Sequence, residues 1–200
     1  HLAGAANGVS IARNASFVKH KLCERLFSPG IRIVDDPLRR RGLRSHPFDG
    51  EGVAVQQMDF VADGVLMSWF LDSATARELG LQTTGHAARG VSAPPSPAPS
   101  NLYLEPGALS PAQFIAETGT GFYITDLIGM GTNLVTGDYS RGAAGYWIEN
   151  GELSYPVSEV TVAGHLLEMF RTLTPADDLS FKYVTNAPTL RVEGLTVAGQ

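Results

Sequence analysis

Apolar and polar positions alternate most clearly around Asn150-Gly151, where Tyr146 and Ile148 on one side and Leu153 and Tyr155 on the other are separated by small or polar residues. A period of two belongs to a half-buried strand, and Asn-Gly suits a two-residue turn because both central positions take positive φ. The pattern predicts a β-hairpin. Ahead of it stands Asp138-Tyr139-Ser140-Arg141, a polar cluster between Gly137 and Gly142 that reads as a loop. Behind it, Pro156 is expected to end the pairing of the second strand, with residues 157–162 forming a further extended run. From Ala163-Gly164 onward the period changes, and Leu166, Met169, Phe170 and Leu173 take helical spacing.

The remaining chain divides on the same grounds. Residues 1–13 are small and rich in Gly and Ala, and read as an irregular start. Residues 14–27 carry Phe17, Leu22 and Leu26 at helical spacing, stopped by Ser28-Pro29-Gly30. A short strand is expected over 31–34, then a charged loop to Gly52. Two extended runs, 53–61 and 65–71, are joined by Ala62-Asp63-Gly64. Residues 73–79 read as a helix capped by Ser73 and ended by Gly80. Residues 92–100 hold Pro94, Pro95, Pro97 and Pro99 and read as a surface loop unable to join a ladder. A strand over 101–104 precedes Ser110-Pro111-Ala112-Gln113, a capping-box start for a helix reaching about residue 118. Strands follow at 122–128 and 132–135, with closing strands at 180–184 and 190–197. Short connections between many strands give an α+β class: a mainly antiparallel sheet with a few short helices, in a single domain over residues 1–200.

Composition narrows the function classes. A net charge of −5 argues against a nucleic-acid surface, which needs clustered cations. The basic run Arg39-Arg40-Arg41 with Arg44 lies beside Asp35-Asp36 and reads as a solvated loop. No apolar run approaches the ~20 residues of a membrane span. The single cysteine, Cys23, cannot form an internal disulfide and fits a reducing, cytoplasmic setting. It falls within an apolar pattern and reads as a core thiol.

Several residues invite chemistry. Ser140 could be a nucleophile, but that needs a base within reach, and no G-x-S-x-G elbow surrounds it. The plainer account is a loop whose Asp138 caps nearby N–H groups and whose Arg141 pairs with Glu149 or Glu159. Asp49 and Glu51 could be an acid–base pair; between glycines they more simply mark a tight turn. His165 and Glu168 would share a helix face at a spacing able to hold a metal.

Longer motifs carry a family resemblance. T-G-D-Y-S-R-G-A-A-G-Y-W-I-E-N-G-E-L-S-Y-P-V-S-E-V-T-V-A-G (136–164), F-D-G-E-G (48–52), D-S-x-x-A-R-x-L-G (72–80), T-G (84–85) and S-N-L-Y-L-E-P-G (100–107) resemble the TldD/PmbA family of gyrase modulators and U62-type peptidases. Within it the chain is similar to the PmbA/TldE branch. Family chains are longer, and this one, without an initiator Met, looks like their C-terminal part. The TldD branch carries a zinc-binding H-E-x-x-x-H, absent here, and a cysteine ligand near its end, where residues 178–199 have none. Resembling proteins have Asn at the His86 and His165 positions. The resemblance implies a subunit of a cytosolic two-component metallopeptidase that degrades unfolded peptides. A TldD-type partner would carry the zinc, while this chain would hold no cofactor and no catalytic residue. Asp138, Tyr139, Ser140, Arg141, Glu149 and Asn150 would line a peptide cleft. Neither nucleic acid nor a membrane is an expected partner, and a homo-oligomer stays open. Two alternatives stand beside this reading: a self-sufficient hydrolase using Ser140 or a further metal site, and a non-enzymatic binding or assembly module.

Overall fold

The computed structural model describes residues 1–199. Two short helices, α1 (Leu2–Ala5) and α2 (Gly8–Ala12), open the chain where an irregular start was expected. Asn7 caps α2 by accepting from the Val9 N–H. The helix expected over 14–27 does not form. Asn14 and Cys23 adopt positive φ (56° and 62°), which no helix accommodates. The N–H groups of this segment instead reach Leu134, Leu66 and Gly64 carbonyls from Phe17, Cys23 and Leu26. Its apolar residues thus serve packing between turns, and Cys23 is exposed rather than a core thiol.

The strands and helices that follow are β1 (Ile33–Asp35), β2 (Met58–Ala62), β3 (Val65–Leu66), α3 (Ser73–Leu79), β4 (Ala87–Ala88), β5 (Ser96–Pro97) and β6 (Leu102–Leu104). Then come α4 (Pro111–Glu117), β7 (Thr120–Ile128), β8 (Asp138–Glu149), β9 (Glu152–His165) and α5 (Leu166–Thr172). The chain closes with β10 (Thr174–Pro175), β11 (Thr185–Asn186), β12 (Leu190–Arg191) and β13 (Thr196–Ala198). This is an α+β fold with predominantly antiparallel sheets. The expected strand over 132–135 is reduced to one bridge, Thr132 with Tyr139; the strand expected over 180–184 does not form, β11 following just after it, and the run expected over 190–197 is broken into β12 and β13. The proline-rich segment does join a ladder, since β5 pairs with β4. The α3 cap is Asp72, not Ser73: its carboxylate accepts from Thr75 N while the Thr75 hydroxyl accepts from Asp72 N. Ser110 caps α4 as expected, in a reciprocal box with Gln113.

Two compact units result. One comprises His1–Glu105, Leu134–Thr136 and Ser180–Ala187; the other comprises Pro106–Asn133, Gly137–Leu179 and Pro188–Gln200. The first holds a five-stranded sheet ordered β11-β6-β1-β2-β3, antiparallel except where β11 runs parallel to β6. Phe60, Phe70, Ile11, Leu66, Val34 and Val61 fill its core, with the Phe60 and Phe70 rings stacked at 4.4 Å. The second unit holds an antiparallel sheet ordered β13-β9-β8-β7. Ala143, Val160 and Val162 pack there against Phe122, Ile124, Val157 and Leu195. The β8–β9 turn is Asn150-Gly151 with φ of 52° and 81°, as the sequence predicts. Pro156 does not end the pairing. It faces Tyr146, beside a register shift between Tyr146 and Ile148, so its missing N–H falls where the ladder is already irregular.

Candidate functional site

Asp138, Tyr139, Ser140 and Arg141 form the start of β8, not a loop, because the β8–β9 ladder continues past Pro156 as far as His165. Asp138 lies opposite His165 and Ser140 opposite Ala163. Gly131 makes room for this strand: Ser140 N donates to Gly131 O at 2.7 Å, and a Cβ on Gly131 would run into the Ser140 carbonyl oxygen. Strand alternation puts exposed Asp138 and Ser140 on one face, and buried Tyr139 with half-buried Arg141 on the other.

Arg141 Nη2 donates to Leu127 O at 3.1 Å, and its guanidinium also hydrogen-bonds the Tyr139 phenol. Burial pushes that phenol above the ordinary tyrosine range, and the adjacent Arg141 charge opposes the shift. The carboxylate pairing expected for Arg141 does not form. Glu149 accepts instead from Ser154 Oγ at 3.1 Å, and no ion pair joins Arg141 to Glu149 or Glu159 among the described residues. Eight strand positions separate Arg141 from Glu149, roughly 26 Å at the usual rise. Thus Asp138–Arg141 occupy one end of β8, while Glu149 and Asn150 occupy the turn end, where Asn150 N donates to Gly119 O at 2.7 Å.

Ser140 has no side-chain hydrogen bond among the described residues. The nearest histidine in the ladder, His165, is the N-cap of α5, and its Nδ1 accepts from Leu167 N at 3.3 Å. A neutral imidazole accepting at Nδ1 carries its proton on Nε2, so it offers Ser140 no base there. This capping role also takes His165 out of the helical i, i+3 arrangement with Glu168.

A second constellation lies in the first unit, and no local signal in the sequence announces it. Asp35, at the end of β1, is fully buried. Its Oδ1 accepts from Ser100 N at 2.9 Å, and its Oδ2 accepts from Ser100 Oγ and from His86 Nε2, the latter at 3.1 Å. Because a carboxylate only accepts, His86 carries a proton on Nε2, leaving Nδ1 to share a hydrogen with Thr84 Oγ1 at 2.9 Å. The imidazole meets the edge of Phe70 with centroids 5.0 Å apart. The order is Ser–Asp–His, with both partners on one carboxylate, so the histidine does not touch the serine as a triad base must.

His86 and Ser100 of this network line a pocket of about 320 Å³, together with Arg44, His46, Asp49 and Arg89. Asp49 accepts from Glu51 N, Val53 N and Ala87 N at 2.9, 2.9 and 3.1 Å, and Glu51 accepts from Ser73 N at 2.8 Å. These carboxylates hold backbone, and the tight-turn reading of F-D-G-E-G stands. Across the described residues no three His, Cys, Asp or Glu side chains converge as metal ligands. Both ring nitrogens of His86 are engaged and Nδ1 of His165 caps a helix, so these groups do not fit a zinc site. Among the described residues no helix is long and apolar enough to cross a membrane.

Residues 1–199 match the PmbA/TldA metallopeptidase C-terminal domain. The chain is 40% identical to the metalloprotease PmbA of Escherichia coli O157:H7 over 201 residues, covering 100% of this chain and 43% of that one. A crystal structure named as a candidate DNA-gyrase modulator from Thermotoga maritima superposes with a TM-score of 0.86 at 35% identity, over 96% of this chain and 44% of the other. Its counterpart from Bacteroides thetaiotaomicron gives 0.89 at 30% identity, over 100% and 43%. The chain therefore spans less than half the length of these relatives.

Proposed function

The chain belongs to the PmbA/TldD metallopeptidase family, and from that premise we propose that it is a PmbA/TldE-like subunit of a two-component cytoplasmic peptidase acting on unfolded peptides. On this reading a TldD-type partner brings the zinc, and this chain contributes cleft wall and a surface along which peptide is laid. The carrying observation is the open side of β7. This strand, Thr120–Ile128, is the last of its sheet and pairs only with β8 among the described residues. Its other side turns backbone N–H and C=O groups outward, the arrangement to which an extended peptide adds as a further strand. Arg141, bonded to Leu127 O near the end of β7, holds that edge in place.

The test is reconstitution. The full-length protein is purified alone and together with a TldD-type chain, and both are given an unfolded peptide and zinc. Co-elution in size exclusion, with cleavage only by the pair, is expected. Cleavage by this protein alone at the rate of the pair would overturn the assignment.

A further inference from the structure

We propose that the pocket of the first unit is a carboxylate-recognition site, with the guanidinium groups of Arg89 and Arg44 as its anchors. Acceptors around the pocket are spent and donors are not. Every carboxylate oxygen in or beneath the pocket is already engaged: Asp35 by Ser100 and His86, Asp49 by three backbone N–H groups. A cationic ligand would find no free acceptor of charge. Donors, by contrast, are in surplus. The Arg89 side chain makes no hydrogen bond or ion pair among the described residues, and Arg44 spends only Nη1, on Pro99 O at 3.2 Å. A guanidinium presents its N–H groups as a planar fork that matches the two oxygens of a carboxylate.

Backbone contacts fix the roots of these two side chains. Gly50 N donates to Ala87 O at 2.7 Å. A Cβ at Gly50 would stand 2.8 Å from that oxygen and 2.9 Å from Arg89 Cβ, so only glycine lets the 48–52 turn close against the root of Arg89. On the other wall, the Arg44 N–H is fixed by Asn101 Oδ1 at 3.0 Å. His46 Nδ1 donates to the Arg44 carbonyl at 2.7 Å, a bond that ties the ring to the backbone of this wall. Exposed Arg40 and Arg41, on the same basic loop, extend a positive field that draws an anion in, although the whole chain is acidic. About 320 Å³ accommodates a chain end or an acidic side chain rather than a folded surface. That a peptide is the source of the carboxylate rests on the proposed function; the preference for a carboxylate does not.

The experiment is calorimetric titration of the full-length protein, without partner or zinc, using four probes: tetra-alanine with a free C-terminus, its C-terminal amide, acetate and inorganic phosphate. The free acid is expected to bind at least tenfold more tightly than the amide. Arg89→Gln and Arg44→Gln, both at exposed positions, are each expected to weaken it about tenfold, with circular dichroism unchanged. Acetate binding as well as the peptide would keep the site and reject a peptide as its ligand, leaving the reconstitution result untouched. Equal binding of acid and amide, preference for phosphate, or an unaltered affinity in both variants would overturn the proposal.

Discussion

The two units treat their polar side chains in opposite ways. In the first, Asp35, His86 and Ser100 come from distant segments, 51 and 65 residues apart, and meet in a buried interior where each carboxylate oxygen is satisfied. In the second, Asp138, Tyr139, Ser140 and Arg141 are neighbours in the chain, yet the strand sends them alternately to opposite faces. Adjacency in sequence made the second group look like a site. Spatial convergence makes the first one resemble a site. The lesson is physical: a strand separates neighbours, and only long-range pairing gathers polar groups into a shielded place.

That contrast can be broken most forcefully at Asp35. Replacing it by alanine leaves Ser100 N–H and His86 without their acceptor in a dry setting, with an expected loss of about 3–5 kcal/mol in unfolding free energy. Urea unfolding measures it, and a cost below about 1 kcal/mol would mean that water already serves this network. The second unit depends on register instead. Gly145 lies at a double irregularity of the β7–β8–β9 ladder, where a Cβ would run into the Tyr123 carbonyl oxygen. Gly145→Ala is expected to cost about 2 kcal/mol by the same assay. An unchanged midpoint would show a ladder more yielding than its bulges suggest.

A smaller effect depends on pH. Burial raises the Tyr139 phenol, so the folded protein ionises it later than the unfolded chain does near pH 10. The stability it contributes is complete below about pH 10 and is lost as pH rises through its folded value. Tyr139→Phe should therefore lessen the alkaline loss of stability, while Tyr103, raised mainly by burial in the first unit, still titrates in both proteins. Identical alkaline limbs for the two proteins would count against burial of the phenol.

Much of the second unit was legible because its signals are local. Alternation around Asn150-Gly151 predicts the hairpin, and Ser110 with Gln113 predicts the start of α4. The first unit was less so. Residues 14–27 space their apolar side chains as a helix does, yet Asn14 and Cys23 turn left-handed because tertiary hydrogen bonds to Leu134, Leu66 and Gly64 claim the segment. Pro156 misled for a related reason, since a ladder tolerates the missing donor where its register already shifts. The buried Asp35–His86–Ser100 network gave no local hint at all. Each member is unremarkable among its own neighbours, and only the five-stranded sheet and the β4–β5 pairing bring the three together.

One strand sets a schedule for biosynthesis. β11 (Thr185–Asn186) lies beside β6 as the last strand of the first unit's sheet, although most of that unit is complete by Glu105. A ribosome releases the chain from the amino end, so that sheet keeps a raw margin until nearly the whole chain has emerged. The β8–β9 hairpin, closed by a two-residue turn, can meanwhile assemble from adjoining residues as they appear. The sheet begun first thus keeps an unpaired β6 margin until Thr185–Asn186 emerge, well after the β8–β9 hairpin is available, and that margin needs shelter from other strands in the nascent chain.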